Sequence, residues 1–194
     1  MAQRSLDRSV ERSRSLEQFL AGVERKAFKI AQLALRHEDD ALDAVQDAML
    51  QLVRAYSERP AEEWRPLFYR ILENRVRDMQ RRRTVRGRVM SWLPWRRDAE
   101  DDEEQDPIAQ APSTDPSPPR RLELDEAITA LEGALQKLPA RQRQAFLLRN
   151  LEGLDVAATA AAMGCTAGSV KTHYFRALQA LRAELGDFWG DAAS

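Results

Sequence analysis

The sequence predicts an all-α protein in which two small helical domains are joined by a flexible linker. Apolar residues recur every three or four positions in two separate stretches, and no stretch alternates apolar and polar residues as a half-buried strand does. An acidic, proline-rich segment separates the two helical stretches. The 194 residues are enough for two domains of roughly 70–80 residues each.

The first helical stretch is expected to span residues 16–92. Residues 1–15 are polar and rich in Arg and Ser, and we expect a disordered tail there. A first apolar stripe begins at Leu16, and a third runs from Trp64 to Met79. A second apolar stripe at helical spacing contains these residues: Leu42, Val45, Met49, Leu52, Val53 and Tyr56.

A linker is predicted for residues 93–120. Residues 98–106 read DAEDDEEQD, with seven acids and no base, and five prolines follow within PIAQAPSTDPSPP. Such a segment cannot bury enough apolar surface to offset its loss of conformational entropy, so it should be extended and flexible. Helical spacing resumes after it and predicts a second domain over residues 121–188.

The second domain carries the spacing of a helix-turn-helix. Asp155 can cap a short helix, VAATAAAM, which Gly164 is placed to end, and Thr166 can cap a longer helix that follows. This arrangement is typical of DNA-reading motifs, although a plain helical hairpin would show the same spacing. The longer helix leaves polar and aromatic side chains near its N-terminal half that can contact phosphates and base edges: Ser169, Lys171, Thr172, His173, Phe175 and Arg176.

The first domain carries two surfaces of opposite charge. Its third helix ends in an arginine cluster interleaved with aromatic residues, which is typical of a surface that binds phosphates and stacked bases. For Trp64 and Phe68 a place in the core is the favoured alternative, and Asn74 and Asp78 share a face that could bind an unpaired base. The second helix is acidic, which suits either a basic protein partner or a solubilising surface.

Composition excludes several classes of protein. The single cysteine, Cys165, excludes an internal disulfide and fits a cytoplasmic location, and two distant histidines argue against a zinc site. We expect no membrane insertion, because no apolar run reaches the roughly 20 residues of a spanning helix. No nucleophile–base pair or phosphate-binding glycine loop stands out, so we expect no enzyme, no catalytic residue, no metal, no cofactor and no small-molecule substrate.

Two segments carry a family resemblance. EDDALDAVQDAMLQLVRAY and EWRPLFYRILENRVRDMQRRR resemble region 2 of bacterial RNA polymerase sigma factors of the sigma-70 family. LQKLPARQRQAFLLRNLEGLDVAATAAAMGCTAGSVKTHYFRALQALRAEL resembles region 4. The presence of these two regions alone is the layout of the group IV, or extracytoplasmic-function (ECF), type.

The resemblance implies a sigma factor that binds core RNA polymerase through its β and β′ subunits and directs transcription initiation at promoter DNA. It also implies control by an anti-sigma factor. Region 2 would dock on the polymerase through Asp43, Gln46 and Asp47. It would contact the minus-ten element through Trp64, Tyr69, Asn74, Arg77, Asp78, Arg81 and Arg82. The exposed residues of the last helix, from Ser169 to Arg176, would read the minus-thirty-five element.

Two alternatives remain open on the residues alone. A stand-alone helix-turn-helix regulator that binds duplex DNA as a dimer would explain residues 139–186 and leave the first domain without a purpose. A non-DNA adaptor would use both domains as protein-docking surfaces and would show no salt-dependent affinity for DNA.

Overall fold

The computed structural model describes residues 2–90 and 118–186, with side chains for residues 10–83 and 125–186. None of the described residues is in a β-strand, so the predicted all-α fold class is confirmed. The helices within these ranges are α1 (Ala2–Leu35), α2 (Glu38–Tyr56), α3 (Ala61–Met90), α4 (Pro118–Lys137), α5 (Ala140–Asn150), α6 (Val156–Met163) and α7 (Ala167–Glu184).

The N-terminal segment differs from its prediction. Residues 2–15 belong to α1 rather than to a disordered tail. The segment contains neither Gly nor Pro, so nothing in it interrupts a helix that the apolar stripe from Leu16 stabilises. The Arg12 guanidinium also donates to the carboxylate of Glu58, which lies in the turn after α2. The predicted linker lies outside the described residues up to residue 117, and residues 118–120 begin α4.

Helices α1, α2 and α3 form the first half of the molecule around an aromatic cluster. The ring of Phe19 lies 6.0 Å from that of Trp64 and 6.2 Å from that of Phe68, between ring centres. Trp64 and Phe68 are buried, as the favoured alternative predicted. Burial of aromatic rings in tilted and edge-on pairs contributes much of the stability of a small helical core.

Helices α4 to α7 form the second half, and the predicted caps are confirmed. The Asp155 carboxylate accepts a hydrogen bond from the backbone N–H of Ala158 at 2.7 Å, at the start of α6. Gly164 ends α6 in the left-handed conformation, with φ of 61°. The Thr166 hydroxyl then accepts from the backbone N–H of Ser169 at 3.1 Å, at the start of α7. These local contacts determine where α6 begins and ends and where α7 begins, and thereby the length of the turn in the helix-turn-helix.

The two halves pack against each other. Helix α6 of the second half lies on α3 of the first, and buried residues of both halves form one apolar cluster. On the surface, the ammonium of Lys29 in α1 pairs with the carboxylate of Glu132 in α4 at 2.6 Å. No helix in the described part of the chain combines the length and apolarity needed to cross a bilayer.

Removal of the α6 cap tests the local origin of the helix-turn-helix. Asp155→Ala should lower the free energy of unfolding by about 1 kcal/mol, because the first turn of α6 loses its side-chain acceptor. Asp155→Asn keeps an acceptor and should stay within a few tenths of a kcal/mol of the wild type, by the ranking of capping residues. Urea denaturation followed by circular dichroism measures both. Equal stability of the two variants would contradict the capping role.

Candidate functional site

The N-terminal half of α7 presents a polar and aromatic surface to solvent. Val170, Ala177 and Leu181 are buried and fix the rotation of the helix. Of the residues predicted to read duplex DNA, Ser169 and His173 are half-buried, and the exposed ones are Lys171, Thr172, Phe175 and Arg176. The Phe175 ring is 58% exposed, the highest value for a large apolar side chain in the described part of the chain. The structure thus brings these predicted residues together on one accessible end of the helix.

The remaining aromatic residue of this segment, Tyr174, is structural. Its ring stacks on that of Phe146 in α5, with 6.4 Å between the ring centres. Its hydroxyl donates to the side-chain oxygen of Asn150 at 3.2 Å, and the Arg149 guanidinium lies 5.9 Å from the ring centre. These contacts hold α7 against α5, so that the exposed face of α7 is carried on a fixed support.

The residues of α3 that were predicted to contact the minus-ten element fall into a buried group and an accessible group. Trp64 and Tyr69 are buried, at 3% and 2% exposure. The polar and basic residues further along the helix are accessible: Asn74, Asp78, Arg81 and Arg82 are exposed, and Arg77 is half-buried beside Glu73. Only the second group is available to a ligand in this arrangement of the two halves.

Arg83 differs in role from the two arginines before it. Its guanidinium donates to the backbone carbonyl of Leu35 at 2.9 Å and pairs with the Asp40 carboxylate at 2.6 Å. A cation at the C-terminus of a helix is favoured by the helix dipole and satisfies a carbonyl that has no partner within the helix. Gln80 likewise donates to the carbonyl of Ala34 at 2.9 Å. The end of the arginine cluster therefore joins α1 to α3.

Helix α2 carries an exposed surface that is both acidic and apolar. Asp43 and Gln46 are exposed, and the half-buried Asp47 lies 3.8 Å from the Arg75 guanidinium, between charged atoms. Two residues of the second apolar stripe, Leu42 and Val53, do not face the core, because they are 42% and 41% exposed. The core side of α2 is instead formed by small residues that allow close packing on α1 and α3: Ala41, Ala44 and Ala48, together with Val45 and Leu52.

Three apolar residues were therefore missed as candidates for a docking surface. Leu42, Leu50 and Val53 lie on the same helix as the predicted acidic residues and are 41–50% exposed. Exposed apolar side chains beside charged ones are typical of protein-docking surfaces. The sequence contained one signal for this surface. The alanines of α2 recur at helical spacing and can form its buried side, which leaves the larger apolar residues free to face solvent.

A second residue that sequence reasoning missed is Glu152, in the turn after α5. Its carboxylate accepts a hydrogen bond from the Tyr69 hydroxyl at 2.7 Å. It also pairs with the Arg65 guanidinium at 2.9 Å, and its side chain is only 1% exposed. Burial, together with the adjacent Glu152 carboxylate, raises the pKa of the Tyr69 hydroxyl far above its usual value. No local feature of the sequence predicts this contact, because its partners are 83 or more residues away.

Glu73 of α3 is a further carboxylate at the boundary between the halves. Burial raises the pKa of its carboxyl, while the hydrogen bond from Arg77 and the positive charges of Arg77, Arg141 and Arg143 oppose that shift. Arg141 itself donates to the backbone carbonyl of Met163 at 2.8 Å, at the end of α6. Among the residues described by the structure, no group of His, Cys, Asp and Glu side chains could hold a metal ion.

Comparison with known proteins identifies the family. The family described as "Sigma-70, region 4" matches residues 128–181, which include α5, α6 and most of α7. The sequence is also 30% identical over 176 residues to the ECF RNA polymerase sigma factor SigM of Mycobacterium tuberculosis, and this match covers 89% of the present chain and 78% of SigM. The chain belongs to the ECF RNA polymerase sigma factors.

A second relative supports this membership of the ECF sigma factors, and a solved structure shows a similar fold. The ECF RNA polymerase sigma factor SigD of M. tuberculosis is 38% identical over 79 residues, which are 39% of this chain and 37% of SigD. The fold of this sigma factor is similar to that of RpoE from Bartonella quintana, solved in complex with the anti-sigma factor NepR. That structure is 24% identical, with a TM-score of 0.63, and the alignment covers 88% of this chain and 96% of RpoE.

The raised pKa of Glu73 gives this sigma factor a testable pH dependence. The folded state holds the Glu73 proton to a higher pH than the unfolded state, so the stability contributed by protonation is lost as the pH rises through the folded-state pKa. Relative to Glu73→Gln, the wild type should therefore lose stability as the pH rises through the range above the ordinary Glu pKa of 4.5. Urea denaturation across this range measures the difference. Glu62→Gln, which alters an exposed acid of the same helix, serves as the control, and a pH-independent difference for Glu73→Gln would contradict the assignment.

Proposed function

We propose that this chain is a dissociable specificity subunit that binds core RNA polymerase and directs it to a set of promoters. The observation that carries the proposal is the exposed surface of α2, where Asp43 and Gln46 lie on the same helix as Leu42, Leu50 and Val53. A regulator that acts on DNA alone has no need of such a surface. A basic partner helix would match its charge, and its apolar residues would supply buried area.

The two nucleic-acid surfaces support the same function. The exposed end of α7 suits the major groove of duplex DNA at the minus-thirty-five element, because Lys171 and Arg176 can bind phosphates or base edges there. The accessible residues of α3 suit single-stranded DNA at the minus-ten element, because Asn74 and Asp78 can hydrogen-bond a base that has left the stack. Arg81 and Arg82 follow them and can hold the backbone.

Control by an anti-sigma factor is part of the proposal. It is supported by family membership and by the structural similarity to RpoE, which was solved with the anti-sigma factor NepR. We further propose that the chain acts in the cytoplasm and that the polymerase supplies all of the chemistry.

Run-off transcription with bacterial core polymerase tests this function. The template is a pool of promoter fragments that includes the region upstream of the protein's own gene. The wild type should produce discrete new transcripts, and Asp43→Arg should reduce them roughly tenfold or more, because it opposes the charge of a basic partner surface. Asp125→Arg reverses an exposed acid in α4 and should leave transcription unchanged. A palindromic footprint without polymerase, in the absence of new transcripts, would instead establish the dimeric regulator.

Duplex binding by α7 is tested separately through its salt dependence. Lys171→Ala should weaken binding to duplex DNA to a similar degree across sequences, and it should lower the slope of log affinity against log salt by about one. Arg182→Ala removes a positive charge from the opposite end of the same helix and should leave the slope unchanged. Fluorescence anisotropy at several salt concentrations measures both variants. A wild-type protein whose affinity for DNA does not depend on salt would favour the adaptor alternative.

A further inference from the structure

The contact between the two halves has a buried charged centre. The Glu152 carboxylate belongs to the second half, and all of its side-chain partners belong to the first: Tyr69 at 2.7 Å, Arg65 at 2.9 Å and Lys26 at 4.0 Å. The backbone of the turn holds Glu152 in place, because its N–H donates to the carbonyl of Leu147 at 3.2 Å. The carboxylate is thus aimed at the first half by a fixed turn.

This contact covers one of the residues that the family resemblance assigns to the minus-ten element. Tyr69 is 2% exposed, and its hydroxyl is already bound to Glu152. A ring that stacks on an unpaired base needs an open face. Asn74 and Asp78, further along α3, remain exposed. The arrangement therefore closes one end of the proposed single-strand surface and leaves the other end accessible.

We propose that Glu152 is a latch that holds the two halves in a closed state, and that the halves must separate before Tyr69 can contact nucleic acid. The identity of what Tyr69 contacts rests on the proposed function. The closed state itself does not, because it follows from the contacts between the halves.

The chemistry of the contact makes the latch reversible. The Lys26 and Arg65 side chains are 45% and 46% exposed, so both already contact water and lose little solvation when the halves meet. Glu152 loses nearly all of its water on closing and regains it on opening. Because the gain from its hydrogen bonds is largely offset by this cost, Glu152 itself adds only a modest preference for the closed state.

The state of the latch can be read in the full chain by zero-length cross-linking. A carbodiimide activates a carboxylate, and a neighbouring lysine amine displaces the resulting urea to form an amide. Lys29 and Glu132 pair across the halves at 2.6 Å and should cross-link only in the closed state. Lys137 and Glu184 pair within the second half and serve as the internal control. Mass spectrometry of the digested protein measures both yields.

Two variants decide whether Glu152 is the latch. Glu152→Ala should lower the ratio of closed to open molecules by roughly tenfold, the effect of losing one or two net hydrogen bonds. The Lys29–Glu132 yield should therefore fall, and the Lys137–Glu184 yield should stay unchanged. An unchanged Lys29–Glu132 yield would overturn the proposal. If both yields fall, Glu152→Ala has disrupted the second half, and Tyr69→Phe, which removes only one hydroxyl, decides by the same criterion.

Binding of a single-stranded minus-ten oligonucleotide tests the coverage of Tyr69. Apparent affinity scales with the open fraction, so Glu152→Ala should bind more tightly than the wild type. The gain in affinity multiplied by the fall in the Lys29–Glu132 yield should equal roughly the tenfold change in the closed-to-open ratio. Glu184→Ala removes an exposed carboxylate within the second half and should bind like the wild type. Loss of the cross-link without a gain in affinity would overturn the claim that the closed state keeps Tyr69 from contacting nucleic acid.

The proposed function and the latch can fail separately. Absence of transcription by the wild type with core polymerase would contradict the proposed function, and the cross-link yields would still decide whether Glu152 is the latch.

Discussion

The burial of one carboxylate constrains much of this structure. Glu152 is 1% exposed at its side chain, and an ionised carboxylate removed from water is tolerated only with charged or hydrogen-bonding partners. Those partners, Tyr69, Arg65 and Lys26, all come from the first half. The turn at the end of α5 must therefore sit between α1 and α3. The same turn continues through Leu154, whose N–H donates to the carbonyl of Leu148 at 3.0 Å, into α6. Helix α6 lies on α3, where the two halves share an apolar cluster.

The same constraint decides which surfaces remain accessible. With α6 against α3, the polar residues at the N-terminal end of α7 stay accessible and Phe175 stays exposed. Helix α2 packs on α1 and α3 through its alanines, so its acidic and apolar residues also stay accessible. Of the three proposed binding surfaces, the one on α3 is only partly accessible, because Tyr69 is buried and Asn74 is exposed. The proposed polymerase and duplex surfaces are thus compatible with the closed arrangement.

Capping residues in the sequence were sufficient to predict where the helices of the helix-turn-helix begin and end. Asp155, Gly164 and Thr166 act on backbone groups within four residues of themselves, so the helix-turn-helix was predictable to within a residue at each of these ends. The exposure of Leu42 and Val53 was not predictable from periodicity, because the alanines of α2 recur at the same helical spacing and pack more closely. The contact of Glu152 could not be predicted from the sequence either, because it joins residues that only the packing of α6 on α3 brings together.

The arginine cluster shows why composition alone does not define a binding surface. Residues 81 to 83 are three consecutive arginines, and all three are exposed by residue area. Successive positions on a helix point about 100° apart, so their side chains meet different surroundings. Arg83 reaches the C-terminal carbonyl of α1 and the Asp40 carboxylate, where the helix dipole favours a cation. A phosphate would have to compete with both partners for that guanidinium. Arg83 therefore differs from its two neighbours because of where α1 ends. Helix α1 ends at Leu35, and the next residue, Arg36, adopts the left-handed conformation with φ of 55°.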